Sequence, residues 1–233
     1  MGRVFITLGR IGRDAYYRGP KDHLMYIPGH FREDRPDVLH DAMRRIGFAT
    51  LVTQEAKRGL DANHVPMLLQ EGESGLVLRG HVARANPVWK KSKAPALAIF
   101  LGPHAYVSPN WYPSKAATGK AVPTWNYITV HARGAIRWIE DTEWLRTHVG
   151  ALSAAHEAGR EIPWMISDAP MSYIDSMLKG IVGFELAVQS LEGKWKLSQN
   201  RDQTDHDGAR DALRREGRED VARLMLRPEP KPD

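Results

Sequence analysis

The chain contains no cysteine in 233 residues. Disulfides, thiolate metal sites and cysteine nucleophiles are therefore excluded, and a reducing compartment fits. It also lacks any apolar run approaching the roughly 20 residues of a membrane-spanning helix. The first apolar run, residues 4–8, is too short for a signal-peptide core, and Arg10 and Arg13 follow it. The expected location is the cytoplasm.

Several chemical signatures are missing as well. There is no GxGxxG fingerprint, no Walker A loop and no HExxH or other standard metal spacing. Ser108 and Ser198 lack a nucleophile elbow, which argues against acyl-transfer hydrolysis. Internal repeats are absent. Concentrated positive charge is scarce too. The net charge is +5, and residues 1–24 hold Arg3, Arg10, Arg13, Arg18 and Lys21 against only Asp14 and Asp22. Most of the surplus thus sits in that extension, and the rest of the chain shows no basic nucleic-acid footprint.

What is present fits a soluble globular domain. The hydrophobic share of 42% suffices for a core. Residues 1–24 lack sustained periodicity and read as a disordered basic extension. From residue 25 the texture changes. Residues 36–46 form an amphipathic helix, opened by Pro36 and closed by Gly47. Strands are expected over 48–53, 63–69, 76–83, 96–101 with a resumption at 106–107, 125–139, 183–188 and 194–198. Pro66 inside a strand marks an edge or irregular pairing. Residues 71–75 are a hairpin loop and Glu192-Gly193 a turn. Asn86 caps a short helix that starts at Pro87, with Trp89 inward. Further helices span 142–156 after Asp141, about 170–178, and 204–215 with a Thr204–Asp207 capping box. Gly217 separates the last from another helix reaching residue 226. Strands joined by short loops favour antiparallel pairing and a closed or nearly closed barrel.

The stretch from Arg79 to Trp89 combines a glycine, His81, Arg84 and Asn86 ahead of a helix start. Those residue types suit a phosphate seat, with the glycine letting backbone approach the ligand. Aromatic and amide residues cluster at 108–112, 122–127 and 194–201, a composition that suits a flat heteroaromatic ring. Phosphate at one end and a flat ring at the other describes FMN or a vitamin B6 phosphate. The histidines on strands or strand ends are His64, His81, His104 and His131.

The motifs Met25-Tyr-Ile-Pro, Asn63-His-Val-Pro66, Gly80-His-Val-Ala-Arg-Ala-Asn-Pro-Val-Trp89, Gly102-Pro-His-Ala-Tyr-Val-Ser-Pro109, Val122-Pro-Thr-Trp-Asn-Tyr127 and Lys196-Leu-Ser-Gln-Asn-Arg201 occur in this order. Together they resemble the PaiB-type family of FMN-binding negative transcriptional regulators. The resemblance implies a mainly β fold with peripheral helices, a split β-barrel like that of pyridoxamine-phosphate oxidase. It also implies a homodimer with FMN at the subunit interface. On that basis residues 25–201 form the barrel domain and 202–233 a helical appendage and tail. The implied FMN-binding residues are His64, Val65 and Pro66 along the ring, His81, Arg84 and Asn86 at the phosphate, Trp125 and Asn126 as lining, and Gln199, Asn200 and Arg201 from the second subunit. No metal ligand is implied. The arginine–histidine pair of the true oxidases is not reproduced at Ser198-Gln199.

Three functions follow from these readings. One is the flavin-binding regulator that the resemblance implies. DNA contact has weak support in the sequence, because the C-terminal arginines alternate with carboxylates as in a solvated, salt-bridged face. The second is a flavin-dependent oxidoreductase or flavin reductase, in which the flavin carries the hydride. The third is a haem-binding barrel with His64 or His81 as axial ligand.

Overall fold

The computed structural model describes residues 25–55, 59–72, 75–90 and 95–226. The expected N-terminal extension and the last seven residues lie outside these. Helix α1 (Pro36–Ile46) has the bounds expected of it. Gly47 ends it at φ 62°, a left-handed conformation that glycine adopts without steric cost.

Among the described residues, eight strands follow antiparallel pairing throughout: β1 (Arg32–Glu33), β2 (Phe48–Glu55), β3 (Gly59–Pro66), β4 (Leu68–Gly72), β5 (Gly75–Ala83), β6 (Pro95–Val107), β7 (Thr124–Ile139) and β8 (Ile181–Lys196). Their order is β3-β2-β6-β7-β8-β5-β4, with β1 on β8. The two ends of that path, β3 and β4, are consecutive in sequence. They meet at Met67, whose N–H donates to the Gly47 carbonyl at 2.8 Å. The sheet must therefore curl back on itself, which gives the barrel. The expected strand over 63–69 is this corner, and Pro66, which has no N–H for a ladder, ends β3 there.

Alternation fixes the inside of the barrel. On β7, Asn126, Ile128, Val130, Ala132 and Ile136 are buried, while Trp125, Ala135 and Arg137 are exposed. Leu51, Leu78, Ala98, Phe100, Val130, Phe184 and Leu186 fill the centre, joined by Leu39 and Met43 of α1. The two short strands expected between 96 and 107 are one strand with a register shift between Leu101 and His104.

The expected turn at Glu192-Gly193 does not exist, because β8 runs straight through it. The glycine serves packing instead. A Cβ on Gly193 would lie 2.3 Å from Leu39 Cδ2 and 2.7 Å from the Glu33 carbonyl. Helices α3 (Thr142–Glu157) and α4 (Met171–Leu178) pack on each other through Leu145, Ile174 and Leu178. Helix α2 (Pro113–Thr118) precedes β7. Helices α5 (Gln203–Arg215) and α6 (Glu219–Leu224) share a second apolar cluster with Ala105, Val107, Tyr112, Ile128 and Leu197. The expected capping box at Thr204 is displaced by two residues: Asp202 is the cap, accepting from Asp205 N at 2.8 Å. Asp202 holds the non-helical backbone of an N-cap (φ −59°, ψ 165°), whereas Thr204 already lies within the first helical turn.

Candidate functional site

Strand β5 delivers the stretch that the sequence singles out. Gly80 stands there for packing: a Cβ would fall 2.4 Å from the Phe184 ring and 3.1 Å from the Pro66 carbonyl. The close approach read from sequence is made by the protein's own core, not by a ligand.

Beyond Ala83 the chain turns. Asn86 Oδ1 accepts from Val88 N at 3.0 Å, capping a short 3-10 turn over Pro87–Lys90. Val88 is the residue buried by that turn, with Trp89 half-buried beside it. Asn86 Nδ2 donates to Asn63 Oδ1 at 2.6 Å and so ties the end of β5 to β3. Asn63 Nδ2 is buried without a hydrogen-bond partner among the described residues. An orphaned amide donor at this seam suits the carbonyl and nitrogen edge of a flavin ring.

Arg84 lies against the α4–β8 turn. Its Nε donates to the Lys179 carbonyl at 2.8 Å, one terminal nitrogen to Glu140 Oε2 at 2.5 Å and the other to the Ile181 carbonyl at 3.2 Å. Its guanidinium also stacks over Trp89 at 5.6 Å, and Trp89 Nε1 donates to the Arg84 carbonyl. Two of its five N–H groups are left by these bonds for an anion.

On β3, His64 is exposed and its Nδ1 lies 3.0 Å from Thr50 Oγ1, whereas Val65 is turned into the core and Pro66 is half-buried. His81 points away from the core toward α3. Its Nδ1 lies 3.3 Å from His148 Nε2, and the His148 ring stacks on Trp144. Burial lowers the pKa of His81. Burial, the His81 ring and Arg79 together push His148 down to about 4. Trp144 Nε1 donates to Glu185, which also receives Arg79 and Arg137. Sequence reasoning missed His148 and Glu185, since their partners arrive from other elements.

The remaining candidates gather elsewhere, where β7 begins and β8 ends. Asn126 is fully buried, accepting from Ser198 Oγ at 3.0 Å and donating to Met225 Sδ. Ser198 holds φ 65°, rare for a residue with a Cβ. Gln199 folds onto its own turn, accepting from Leu197 N and donating to the Trp195 carbonyl. Asn200 is exposed, and Arg201 sits 4.6 Å over the Tyr112 ring. Trp125 is 53% exposed beside His104 and Tyr106. Within one chain the structure thus forms two groups. Asn63, Arg84 and Asn86 make one, and Trp125 with residues 196–201 the other, while His64 turns to the opposite face of β3 and meets Thr50.

Comparisons with known proteins fit this architecture. The family model described as "Putative FMN-binding domain" matches residues 25–190. The protein named "Protease synthase and sporulation protein PAI 2" of Bacillus subtilis is 34% identical over 184 residues, covering 78% of this chain and 86% of that one. An uncharacterised protein of Emericella nidulans is 34% identical over 223 residues, covering 79% and 88%. Among solved structures, an FAD and heme binding protein from Mycobacterium smegmatis superimposes with a TM-score of 0.53 at 16% identity, covering 76% and 79%. That likeness speaks for the fold alone. By its matched family model, its relatives and its curled antiparallel sheet, the chain belongs to the FMN-binding family of PaiB-like split-barrel proteins.

Proposed function

We propose that this protein works as a cytoplasmic homodimer that binds one FMN per chain between its subunits and uses it in electron transfer. The separation of the two candidate groups carries this reading. Asn63, Arg84 and Asn86 gather at the β3–β5 seam, while Trp125, Gln199, Asn200 and Arg201 gather at the opposite end of the long strands. A second copy would bring the latter group of one chain to the seam of the other.

The residues at the seam suit FMN. The free donor of Asn63 addresses the ring edge, β3 offers a strand to lie along, and Arg84 and Asn86 stand at the phosphate end. FMN supplies the hydride and single-electron chemistry when bound. This chain's residues position it and exclude water. Val65 and Met67 fix β3 to the core, and the Asn63–Asn86 bond holds the seam together.

Regulation of transcription, the role implied by the resemblance, would then be indirect. The C-terminal helices bury Ala209, Leu213, Val221 and Ala222 against the barrel. Their arginines meet carboxylates of the same segment: Arg210 with Asp207, Arg218 with Asp220, and Arg223 with Glu219. Such a face offers little free charge to phosphates of DNA. The test is a titration of purified protein with FMN, followed by NADPH oxidation with FMN present. Flavin-dependent oxidation supports the reading. Salt-sensitive binding to its own promoter without NADPH turnover favours a regulator, and a Soret band in place of flavin absorption favours haem.

A further inference from the structure

Half-buried cations in this protein commonly meet carboxylates. Arg79 meets Glu185, Arg133 faces Glu192, and Arg146 meets Asp175. Lys194 and Lys196 behave differently. They lie two residues apart on β8, opposite Thr129 and Tyr127 of β7, and so share one face of the sheet. Neither forms an ion pair with a carboxylate among the described residues. Lys194 Nζ donates to the Tyr26 carbonyl at 2.9 Å. Lys196 Nζ donates to the Trp125 carbonyl at 2.6 Å and to the Thr124 hydroxyl. The carboxylate nearest in sequence, Glu192 on the same face, is held by Arg133 at 3.6 Å and by the Met25 amide at 3.2 Å.

Aromatic rings surround the pair without cancelling its charge. Lys194 stands 5.5 Å from the Tyr26 ring and 5.7 Å from that of Tyr127, and Lys196 stands 5.8 Å from the Phe31 ring. Burial, then the neighbouring charges of Lys194 and Arg201, lower the pKa of Lys196. Like charges are thus gathered partly out of water, an arrangement that an anion would relieve.

We propose that Lys194 and Lys196 form a seat for a phosphate-bearing ligand, with Tyr26 and Tyr127 flanking it. The shared chemistry is a phosphate monoester or diphosphate. Its source is either the phosphate of FMN or that of a second nucleotide such as a pyridine-nucleotide reductant. The identity of the ligand rests on the flavin reading, whereas the seat itself does not.

The test uses full-length protein, wild type, Lys194→Gln and Lys196→Gln, with folding checked by near-UV circular dichroism. Lys194→Gln removes one ammonium whose only hydrogen bond among the described residues is to the Tyr26 carbonyl, so a folded variant is expected. Calorimetric titrations use sodium pyrophosphate, FMN, riboflavin and NADPH. Wild type is expected to bind pyrophosphate, and each substitution to weaken it about tenfold, as the loss of a charge-assisted hydrogen bond would. Weaker FMN binding with riboflavin unchanged assigns the seat to the flavin phosphate and moves that phosphate away from Arg84 and Asn86. Unchanged FMN with weaker NADPH binding assigns it to the second nucleotide. Pyrophosphate, FMN and NADPH affinities that are absent, or unchanged in folded Lys194→Gln, overturn the proposal. If wild type binds no flavin yet pyrophosphate binding still falls in Lys194→Gln, the flavin reading fails and the seat stands.

Discussion

His148 is 3% exposed, and its ring is sandwiched between Trp144 and His81. A proton there meets Arg79 on β5 and a second imidazole, with Glu185 already engaged by two arginines. Its pKa in the folded chain is about 4, below the ordinary 6.5. The unfolded chain therefore binds more protons between those values. Stability from this group is complete above about pH 6.5 and is lost as pH falls toward 4. Thermal melts across that range are expected to show a falling midpoint, with a shallower fall in His148→Gln. A midpoint independent of pH would refute the buried neutral pair. A second expectation concerns Gly193, where Ala would collide with Leu39 and the Glu33 carbonyl. Gly193→Ala should cost about 1–3 kcal/mol in urea denaturation, as overpacking does. Local sequence showed Arg84 and Asn86 as neighbours at a helix start. It could not show His148, which meets His81 from 67 residues away.

Elements were legible where one short-range pattern decided them. Helix α1 has its proline start, its apolar stripe and its glycine stop within one stretch. The 16-residue β8 was not legible, because Glu192-Gly193 has the composition of a turn. Only the packing of α1 and β1 against it explains that glycine. The β3–β4 corner was partly visible, since Pro66 announced an irregularity without showing where the pairing changes. The joint between α2 and α5 was hidden altogether. Asp205 is 2% exposed and accepts from Ser114 N at 2.9 Å and Ser114 Oγ at 2.6 Å. Asp205→Ala strips both donors of their acceptor, at a cost of roughly 1–3 kcal/mol or more. Denaturant midpoints should show that loss, and hydrogen exchange should show α2 and α5 loosening first. Unchanged protection in these helices would contradict the joint.

At the scale of the whole molecule, the register places His64, Thr50, Ile99, His131 and Glu192 in one row across five strands. Phe48 and Leu101, two residues along from Thr50 and Ile99, are 57% and 53% exposed on the same outer side. This face is where the proposed second copy would pack, bringing residues 196–201 of one chain toward the seam of the other. The sequence revealed the barrel through its strand spacing and family motifs, and the two groups of candidate residues through their composition. The resemblance assigned Gln199, Asn200 and Arg201 to the second subunit, but how one chain holds the groups apart follows from strand register and length, which local sequence does not show. The decisive measurement is FMN titration, with sedimentation in parallel, of wild type and Leu101→Asp. Wild type should be a dimer that binds one FMN per chain, and the dissociated variant should bind FMN at least roughly tenfold more weakly, as expected when half the contacts are removed. A monomeric variant that binds FMN as tightly as wild type, or a wild type that binds none, would contradict a cleft built by two chains.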